Sequence, residues 1–162
     1  VVNAVNFTDG IDGLNTTVSF FAFLSLALCA GLLSMTGLSA MGLASAAACI
    51  GFLIWNWHPA KVFMGDTGSL FMGGMVCALA FGMDLPLLLL PVGFVYLCEI
   101  LSVVLQVTYF KATHGKRFFK MAPLHHHLER CGWSEVKIVT VFVSVTAVFC
   151  LLAYYGIRGR YL

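Results

Sequence analysis

Residues 13–60 read GLNTTVSFFAFLSLALCAGLLSMTGLSAMGLASAAACIGFLIWNWHPA and contain no Asp, Glu, Lys or Arg. As one helix these 48 residues would extend about 72 Å, whereas the hydrocarbon core of a bilayer is about 30 Å thick. The run is therefore too long for one crossing, and residues 34–37, Ser-Met-Thr-Gly, are its natural break. The apolar residues are continuous rather than alternating, which favours helices over strands. The stretch predicts two membrane-spanning helices, near 14–33 and 38–57.

The composition of the chain suits a membrane rather than water. Hydrophobic residues make up 60% and charged residues 10% of the 162 residues, whereas soluble domains carry about 25% charged residues. The mean hydropathy is +0.96. Three further apolar runs predict spans near 67–83, 85–108 and 137–157, and only Glu99 interrupts the second of them. We therefore predict an all-α, polytopic membrane protein with about five transmembrane helices, forming a single transmembrane domain over residues 1–162.

Five spans place alternate connecting segments on the same side of the membrane. Segments 1–13, 58–68 and 109–136 then share one face, and the turn at 34–37 and the C-terminus lie on the other. The first face carries most of the basic residues, namely Lys61, Lys111, Lys116, Arg117, Lys120 and Arg130. Because cytoplasmic loops carry an excess of Lys and Arg, we predict that the three segments are cytoplasmic. This arrangement brings three distant polar segments together.

The first polar segment contains two carboxylates three residues apart, each followed by glycine. Asp9 and Asp12 face the same way if the segment begins a helix, and Asn6 precedes them. Carboxylate and amide oxygens suit Mg²⁺ or the hydroxyl and N–H groups of a substrate. The alternative is a helix entry that is capped by an acidic residue and punctuated by glycine, without any ligand.

The second polar segment contains a carboxylate between two glycines, in the order Gly65-Asp66-Thr67-Gly68. Glycines allow a ligand to approach the backbone closely. Asp66 also precedes the predicted span 67–83, so free N–H groups at that helix start can bind phosphate oxygens. A carboxylate in this position can hold a metal that bridges those oxygens. The alternative is again an N-cap aspartate with a structural role only.

The third polar segment is basic and carries three consecutive histidines, His125, His126 and His127. Its charge suits an anionic lipid headgroup or a diphosphate. Consecutive side chains cannot all point at one ion from a regular backbone, which argues against a zinc site. The histidines can instead offer hydrogen bonds or a proton to a phosphate. The alternatives are ordinary basic residues on a cytoplasmic face and an affinity tag, although an internal triplet is a poor tag.

Glu99 lies inside a predicted span. A carboxylate within the membrane is costly and is a functional candidate by default. A structural pair with a neighbouring helix accounts for it equally well. Glu99 and the histidines could also belong to a transporter or an ion path, but the sequence lacks the two matching broken-helix halves that favour such a module.

Three stretches resemble a known family. Residues 6–15, 56–70 and 121–133 resemble loops of the bacterial phospho-N-acetylmuramoyl-pentapeptide transferases, within the polyprenyl-phosphate sugar-1-phosphate transferase superfamily. The loop MAPLHHH, residues 121–127, separates this family from relatives that transfer N-acetylglucosamine phosphate. The resemblance implies transfer of phospho-N-acetylmuramoyl-pentapeptide from a UDP donor to undecaprenyl phosphate. The products would be lipid I and UMP, in peptidoglycan synthesis.

The resemblance also implies roles for individual residues. Asp66 matches the family's metal-binding catalytic aspartate, with Mg²⁺ as cofactor, and Asn6 also approaches the metal. His125 matches a catalytic histidine. The residues that match substrate-binding positions are Asn6, Asp9, Asp12, Asn56, Phe63, Gln106, His126 and His127. Among these, Asn56, Phe63 and Gln106 would line the nucleoside pocket, and Phe63 would stack on uracil.

The implied setting is the bacterial inner (plasma) membrane, with several crossings and a cytoplasmic active site. The implied partners are UDP-N-acetylmuramoyl-pentapeptide, undecaprenyl phosphate and membrane lipid, without nucleic acid, and the sequence leaves open a homodimer. The family's adjacent aspartate pair and a glycine-rich loop with a nucleotide-contacting lysine do not occur here. We therefore expect the chain to match the C-terminal half of such an enzyme and to be inactive alone. The rival interpretations are a related transferase of another UDP-N-acetylhexosamine and a non-catalytic membrane fragment.

Overall fold

In the computed structural model, which describes residues 1–161, the chain is built of α-helices joined by short connections. Within those residues there is no strand. The helices are α1 (Val2–Thr8), α2 (Leu14–Leu32), α3 (Thr36–Asn56), α4 (Gly65–Gly82), α5 (Leu89–Val92), α6 (Phe94–Ala112), α7 (Leu124–Arg130) and α8 (Glu135–Tyr161). A 3₁₀ turn at Pro86–Leu88 precedes α5. The all-α prediction is confirmed.

Within residues 1–161, four helices are long and apolar enough to cross a membrane, namely α2, α3, α6 and α8. The predicted span 67–83 is also helical, as α4, but α4 is not among these four. Its first turn contains Asp66, Thr67, Gly68 and Ser69, which lower its hydropathy. The prediction of a polytopic membrane protein is confirmed, with four such helices where about five spans were expected.

The contacts at the ends of α4 show that it nevertheless extends from one end of the bundle to the other. Gly82, its last residue, packs against the side chain of Leu38 near the start of α3. At the other end of α3, Asn56 accepts a hydrogen bond of 2.6 Å from Thr16 in the first turn of α2. Helices α2, α3 and α4 therefore alternate in direction. Both α2 and α4 begin at the same end of the bundle, which is the end that contains the candidate site.

The predicted break at 34–37 coincides with a tight turn between α2 and α3. Ser34 adopts a positive φ of 59°, and the N–H of Met35 returns to the carbonyl of Ala30 at 2.9 Å. This hydrogen bond satisfies a carbonyl that α2 leaves free at its C-terminus. The chain then reverses directly into α3.

The predicted span 85–108 is not one continuous helix. It begins as the 3₁₀ turn and the single turn α5, and only after Gly93 does the long helix α6 start. Pro91 has no N–H to donate. A side chain at Gly93 would lie 2.6 Å from the carbonyl oxygen of Leu89, so the chain bends where only glycine fits. The sequence is apolar on both sides of Gly93, so hydropathy did not indicate this break.

Helix α2 lies at the centre of the bundle. Most of its residues are buried, whereas α3, α6 and α8 expose many large apolar side chains, as is typical of helices that face lipid. Ser25 of α2 donates to the carbonyl of Cys150 in α8 at 3.2 Å, and the N–H of Asp12, just before α2, contacts Glu135 at the start of α8 at 3.4 Å. Helix α8 therefore runs parallel to α2 and also begins at the site end.

Candidate active site

The first two polar segments meet where α1 packs on α4. A side chain at Gly73 of α4 would lie 2.7 Å from Val2 Cα, so glycine is what allows α1 to lie this close. Asn6 of α1 then donates through Nδ2 to Asp66 Oδ1 at 2.8 Å and to Ser69 Oγ at 2.9 Å. The two residues that were predicted to bind metal are therefore in direct contact.

Asp9 is a further carboxyl group, three residues after Asn6, whose pKa responds to the charge of Asp66. Burial raises the pKa of Asp9 from 3.8 to about 6; a side-chain hydrogen bond with Asn15 opposes this rise, and the charge of Asp66 adds to it. The charge of Asp66 raises the pKa of Asp9 because two like charges near each other disfavour ionisation. A hard cation between them would relieve this repulsion, because carboxylate and carboxamide oxygens are its preferred ligands. Asp66, Asn6 and their neighbour Asp9 thus suit Mg²⁺.

Asp12 holds three parts of the chain together through a second cluster. Its Oδ2 accepts hydrogen bonds from the N–H of Ala60 at 2.9 Å and from His58 Nδ1 at 3.1 Å. His58 Nδ1 also lies 3.5 Å from Oε2 of Glu135. The three side chains offer ligand atoms within 4.8 Å of one another, but Oδ2 of Asp12 already accepts two hydrogen bonds. The cluster therefore connects the loop before α2, the loop before α4 and the start of α8.

The histidine triplet lies on the short helix α7, and each member has its own partner. His125 Nδ1 lies 3.1 Å from Oε2 of Glu99, and neither side chain has exposed surface. His126 pairs with Glu129 one turn later, and His127 Nδ1 accepts a hydrogen bond of 3.1 Å from the N–H of Lys120. The three rings do not converge on one point. Glu99, a candidate for either a functional or a structural pair, has a histidine partner.

The buried ring of His125 packs against the loop between Asp9 and Asp12. A Cβ at Gly10 would lie 2.1 Å from Nε2 of His125, so the imidazole fills the space that a side chain at this position would need. The histidine expected to be catalytic thus lies beside the loop of Asp9 and Asp12, the aspartates expected to bind the donor. It is, however, fully covered by the loop that carries them.

The three residues expected to line a nucleoside pocket do not line one cavity. Asn56 is buried, and both ends of its carboxamide are occupied: Nδ2 donates to the carbonyl of Val62 at 3.0 Å and Oδ1 accepts from Thr16. Phe63 is 69% exposed and borders an apolar cavity of about 640 Å³ between α2, α3 and α4. Gln106 faces a different cavity and accepts a hydrogen bond from the N–H of Phe119 at 2.8 Å.

The cavity at Gln106 combines an apolar wall with a basic rim. It has a volume of about 530 Å³ and lies between α6 and the segment before α7. Lys111, Arg117 and Arg130 line it together with Val103 and Phe110. This combination suits a ligand that has both a negatively charged group and a hydrocarbon chain.

Glu135, like His58 and Ser69, is a residue of the site that the sequence analysis did not predict. It follows Ser134 at the start of α8, where an acidic residue is explained by the helix dipole alone. Its contact with the loop before α2 depends on the parallel packing of α2 and α8, which local sequence does not reveal. The one available signal was its place in the third polar segment, on the face shared with Asp12.

Comparison with known proteins gives the chain its relatives. The family described as glycosyl transferase family 4 matches residues 1–84. Proteins named phospho-N-acetylmuramoyl-pentapeptide-transferase are similar over nearly the whole chain. The one from Clostridium botulinum (strain Eklund 17B / Type B) is 49% identical over 152 residues, covering 94% of this chain and 47% of the relative. Those from Clostridium perfringens (strain 13 / Type A) and Acetivibrio thermocellus are 51% and 48% identical, covering 95% and 98% of this chain and 48% of each relative.

The resemblance that the loops indicated is therefore confirmed by relatives of about 50% identity. The chain spans about half the length of the curated relatives it matches. The family match covers 84 of its 162 residues, among them both metal-binding candidates Asn6 and Asp66. The chain belongs to glycosyl transferase family 4.

Proposed function

We propose that the full-length protein transfers phospho-N-acetylmuramoyl-pentapeptide from its UDP donor to undecaprenyl phosphate and releases UMP, with lipid I as the other product. The observation that carries the proposal is the contact of Asn6 with Asp66, because it joins two motif loops that are 60 residues apart in the chain. The names of the similar proteins support the choice of donor sugar and peptide. The loop at 121–127, with its histidine triplet, favours this donor over other UDP-N-acetylhexosamines.

In this proposal Asp66 and Asn6 hold Mg²⁺, and Asp9 lies next to them. When bound, Mg²⁺ supplies neutralisation of the negative charge on the diphosphate. Asn6 presents Nδ2 to Asp66 here, and rotation of its carboxamide would present Oδ1 instead. The exposed carboxylate of Asp66 is accessible to a ligand from outside the bundle.

The remaining residues bind and orient the two substrates. Asp9 and Asp12 accept hydrogen bonds from the donor, and the exposed ring of Phe63 provides a surface on which uracil can stack. His126 and His127 offer N–H groups to phosphate oxygens. Phosphoryl transfer depends mainly on such positioning and on charge stabilisation, with the attacking lipid phosphate in line with the leaving UMP.

His125 contributes a proton or a hydrogen bond at Nε2 in this proposal. Because Nε2 is covered by the loop at Gly10, that loop must move before a substrate can reach the ring. We place the site on the cytoplasmic side of the bacterial inner membrane, with the basic residues of segment 109–136 facing the anionic substrates. The contacts of residues 1–161 within one chain give no support to a homodimer, which is not part of the proposal.

The proposal is tested with purified full-length protein in detergent with undecaprenyl phosphate. UMP release is measured with UDP-N-acetylmuramoyl-pentapeptide and with UDP-N-acetylglucosamine, each with Mg²⁺ and with EDTA. We expect release only with the first donor and only with Mg²⁺. Release with the second donor alone would favour the related transferase of another sugar, and release in EDTA would refute the metal assignment.

A further inference from the structure

We propose that Glu99 is a positioning residue, which holds His125 with its hydrogen on Nδ1 and directs Nε2 at the loop that carries Asp9 and Asp12. The inference deepens the proposed function, in which His125 contacts a substrate, and it rests on that function. It assigns to the carboxylate inside helix α6 a role that acts entirely through the histidine.

The geometry of the pair places one hydrogen bond between the histidine and the carboxylate. His125 Nδ1 lies 3.1 Å from Oε2 of Glu99. An ionised carboxylate only accepts hydrogen bonds; the proposal takes Glu99 in this form, and the hydrogen between the two atoms then belongs to Nδ1. Both side chains are 0% exposed, which removes the competition from water that would otherwise allow the ring to exchange its partner.

The rest of the pair is not arranged as a structural histidine would be. Nε2 of His125 and Oε1 of Glu99 are both buried and have no hydrogen-bond partner within residues 1–161. An unsatisfied buried polar atom lowers the stability of the folded protein. A histidine that served only to hold α7 against α6 would gain stability by satisfying Nε2. Unsatisfied groups of this kind require an explanation, and an atom reserved for a ligand provides one.

Gly10 shows where the unpaired nitrogen points. A side chain there would begin 2.1 Å from Nε2 and 2.8 Å from Cε1 of His125, so the edge of the ring faces the backbone of this one residue. Asp9 precedes Gly10, and Asp12 follows two residues later. The nitrogen is therefore aimed at the loop that binds the donor in the proposed function.

Such an arrangement orients the ring before any substrate arrives. A carboxylate that accepts a hydrogen bond from one nitrogen fixes the tautomer and the orientation of an imidazole. The other nitrogen then transfers a proton, as in catalytic triads, or binds a metal. When the loop at Gly10 moves, Nε2 becomes available in a defined protonation pattern. Without Glu99, the ring could carry its hydrogen on either nitrogen.

The experiment uses the full-length protein in nanodiscs with ¹⁵N-labelled imidazole rings, and the signals of His125 are identified by their loss in His125→Asn. We expect a hydrogen on Nδ1 of His125 in the wild-type protein. Glu99→Gln keeps the shape of the side chain, but its amide can also donate to Nδ1, so a second population with the hydrogen on Nε2 should appear. Glu129→Gln, which removes the partner of His126 instead, is the matched control and should leave the His125 signals unchanged.

The kinetic readout separates positioning from general stability. We expect Glu99→Gln to lower kcat about tenfold or more, by analogy with orienting carboxylates of triads, with KM for the UDP donor changed less than about twofold. In the His125→Ala background the same substitution should have no further effect, because Glu99 acts through the histidine. An unchanged His125 spectrum in Glu99→Gln, or additive losses in the double variant, would overturn the inference. If no transfer is detected at all, the proposed function fails while the spectra still decide the role of Glu99.

Discussion

At the scale of single residues, the site contains buried and half-buried carboxyl groups. Burial raises the pKa of Asp9, and the charge of Asp66 adds to this rise. Oε1 of Glu99 is buried and has no hydrogen-bond partner in the part of the chain that the structure describes. Such groups destabilise the protein on their own. Their concentration at the end of the bundle where the three loops meet is what distinguishes this end from the rest of the molecule.

The pKa of Asp9 leads to a prediction about stability and pH. Because the pKa is about 6 in the folded protein and 3.8 as the ordinary value, the folded state binds this proton more tightly than the unfolded state. The stabilising contribution is therefore full below about pH 3.8 and is lost as the pH rises through about 6. In metal-free protein, Asp9→Asn should be more stable than the wild type above pH 6, by on the order of 1 kcal/mol after solvent screening.

Thermal unfolding in EDTA, measured between pH 4 and pH 8, checks this expectation. Asp9→Asn should be more stable than the wild type only at the alkaline end of this range. Added Mg²⁺ should reduce the difference in stability, because the cation would offset the repulsion from Asp66. An advantage of equal size at both ends of the range would show that the ionisation of Asp9 is not its cause.

At the scale of helices, the site depends on how closely α1 lies against α4. Gly73 allows this approach, since a Cβ there would lie 2.7 Å from Val2 Cα and 3.1 Å from the Val2 carbonyl oxygen. The neighbouring Gly74 has open space around it. The two glycines lie in the same helix. Comparing an alanine at each position therefore separates the effect of packing from that of helix propensity.

We expect Gly73→Ala to displace α1 and to lower the free energy of unfolding by about 1–3 kcal/mol, as overpacking does. It should also reduce UMP release in the full-length protein, because the hydrogen bond from Asn6 to Asp66 depends on the position of α1. Gly74→Ala should keep activity and gain up to about 1 kcal/mol of stability from the better helix former. Thermal unfolding and UMP release of both variants provide the measurement. Equal unfolding temperatures and equal UMP release in the two variants would contradict the packing argument.

Sequence reasoning located most helices because long runs without charged residues leave the backbone few alternatives in a membrane. It did not predict the break between α5 and α6 at Gly93, because a break caused by one contact with a carbonyl group leaves the hydropathy of the sequence unchanged. Loop parity alone placed the segments of Asp66 and Asn6 on one face, and the family resemblance implied that both residues approach the metal. Sequence reasoning did not foresee that Asn56 would use both ends of its carboxamide to hold a loop, since side-chain partners across helices depend on rotation and register that composition does not encode.

At the scale of the whole molecule, the direction of the helices determines which loops share a face. Helices α2, α4 and α8 begin at the site end, while α3 and α6 finish towards the loops of that face. The lysines and arginines of segment 109–136 predict that this face is cytoplasmic. The connection of α2 to α3 would then lie outside.

Cysteine labelling of intact cells tests the sidedness. Cys131 is exposed and reports on the site end, and Thr36→Cys in a Cys131→Ser background reports on the α2–α3 connection. An impermeant maleimide should label Thr36→Cys in intact cells and Cys131 only after permeabilisation. Labelling of both positions from the same side would rule out the predicted topology.

In the proposed function, transfer depends above all on the binding of Mg²⁺ by the carboxylate of Asp66, and one pair of variants examines this assignment. Asp66→Asn and Asp84→Asn remove carboxylates from the start of α4 and from the turn just beyond its end. In the full-length protein, UMP release from UDP-N-acetylmuramoyl-pentapeptide should fall about 10³-fold or more in Asp66→Asn, since charge stabilisation at the phosphoryl group is lost. Asp84→Asn should stay close to the wild type, with both variants unfolding at similar temperatures. Near-normal, Mg²⁺-dependent release by Asp66→Asn would contradict the account.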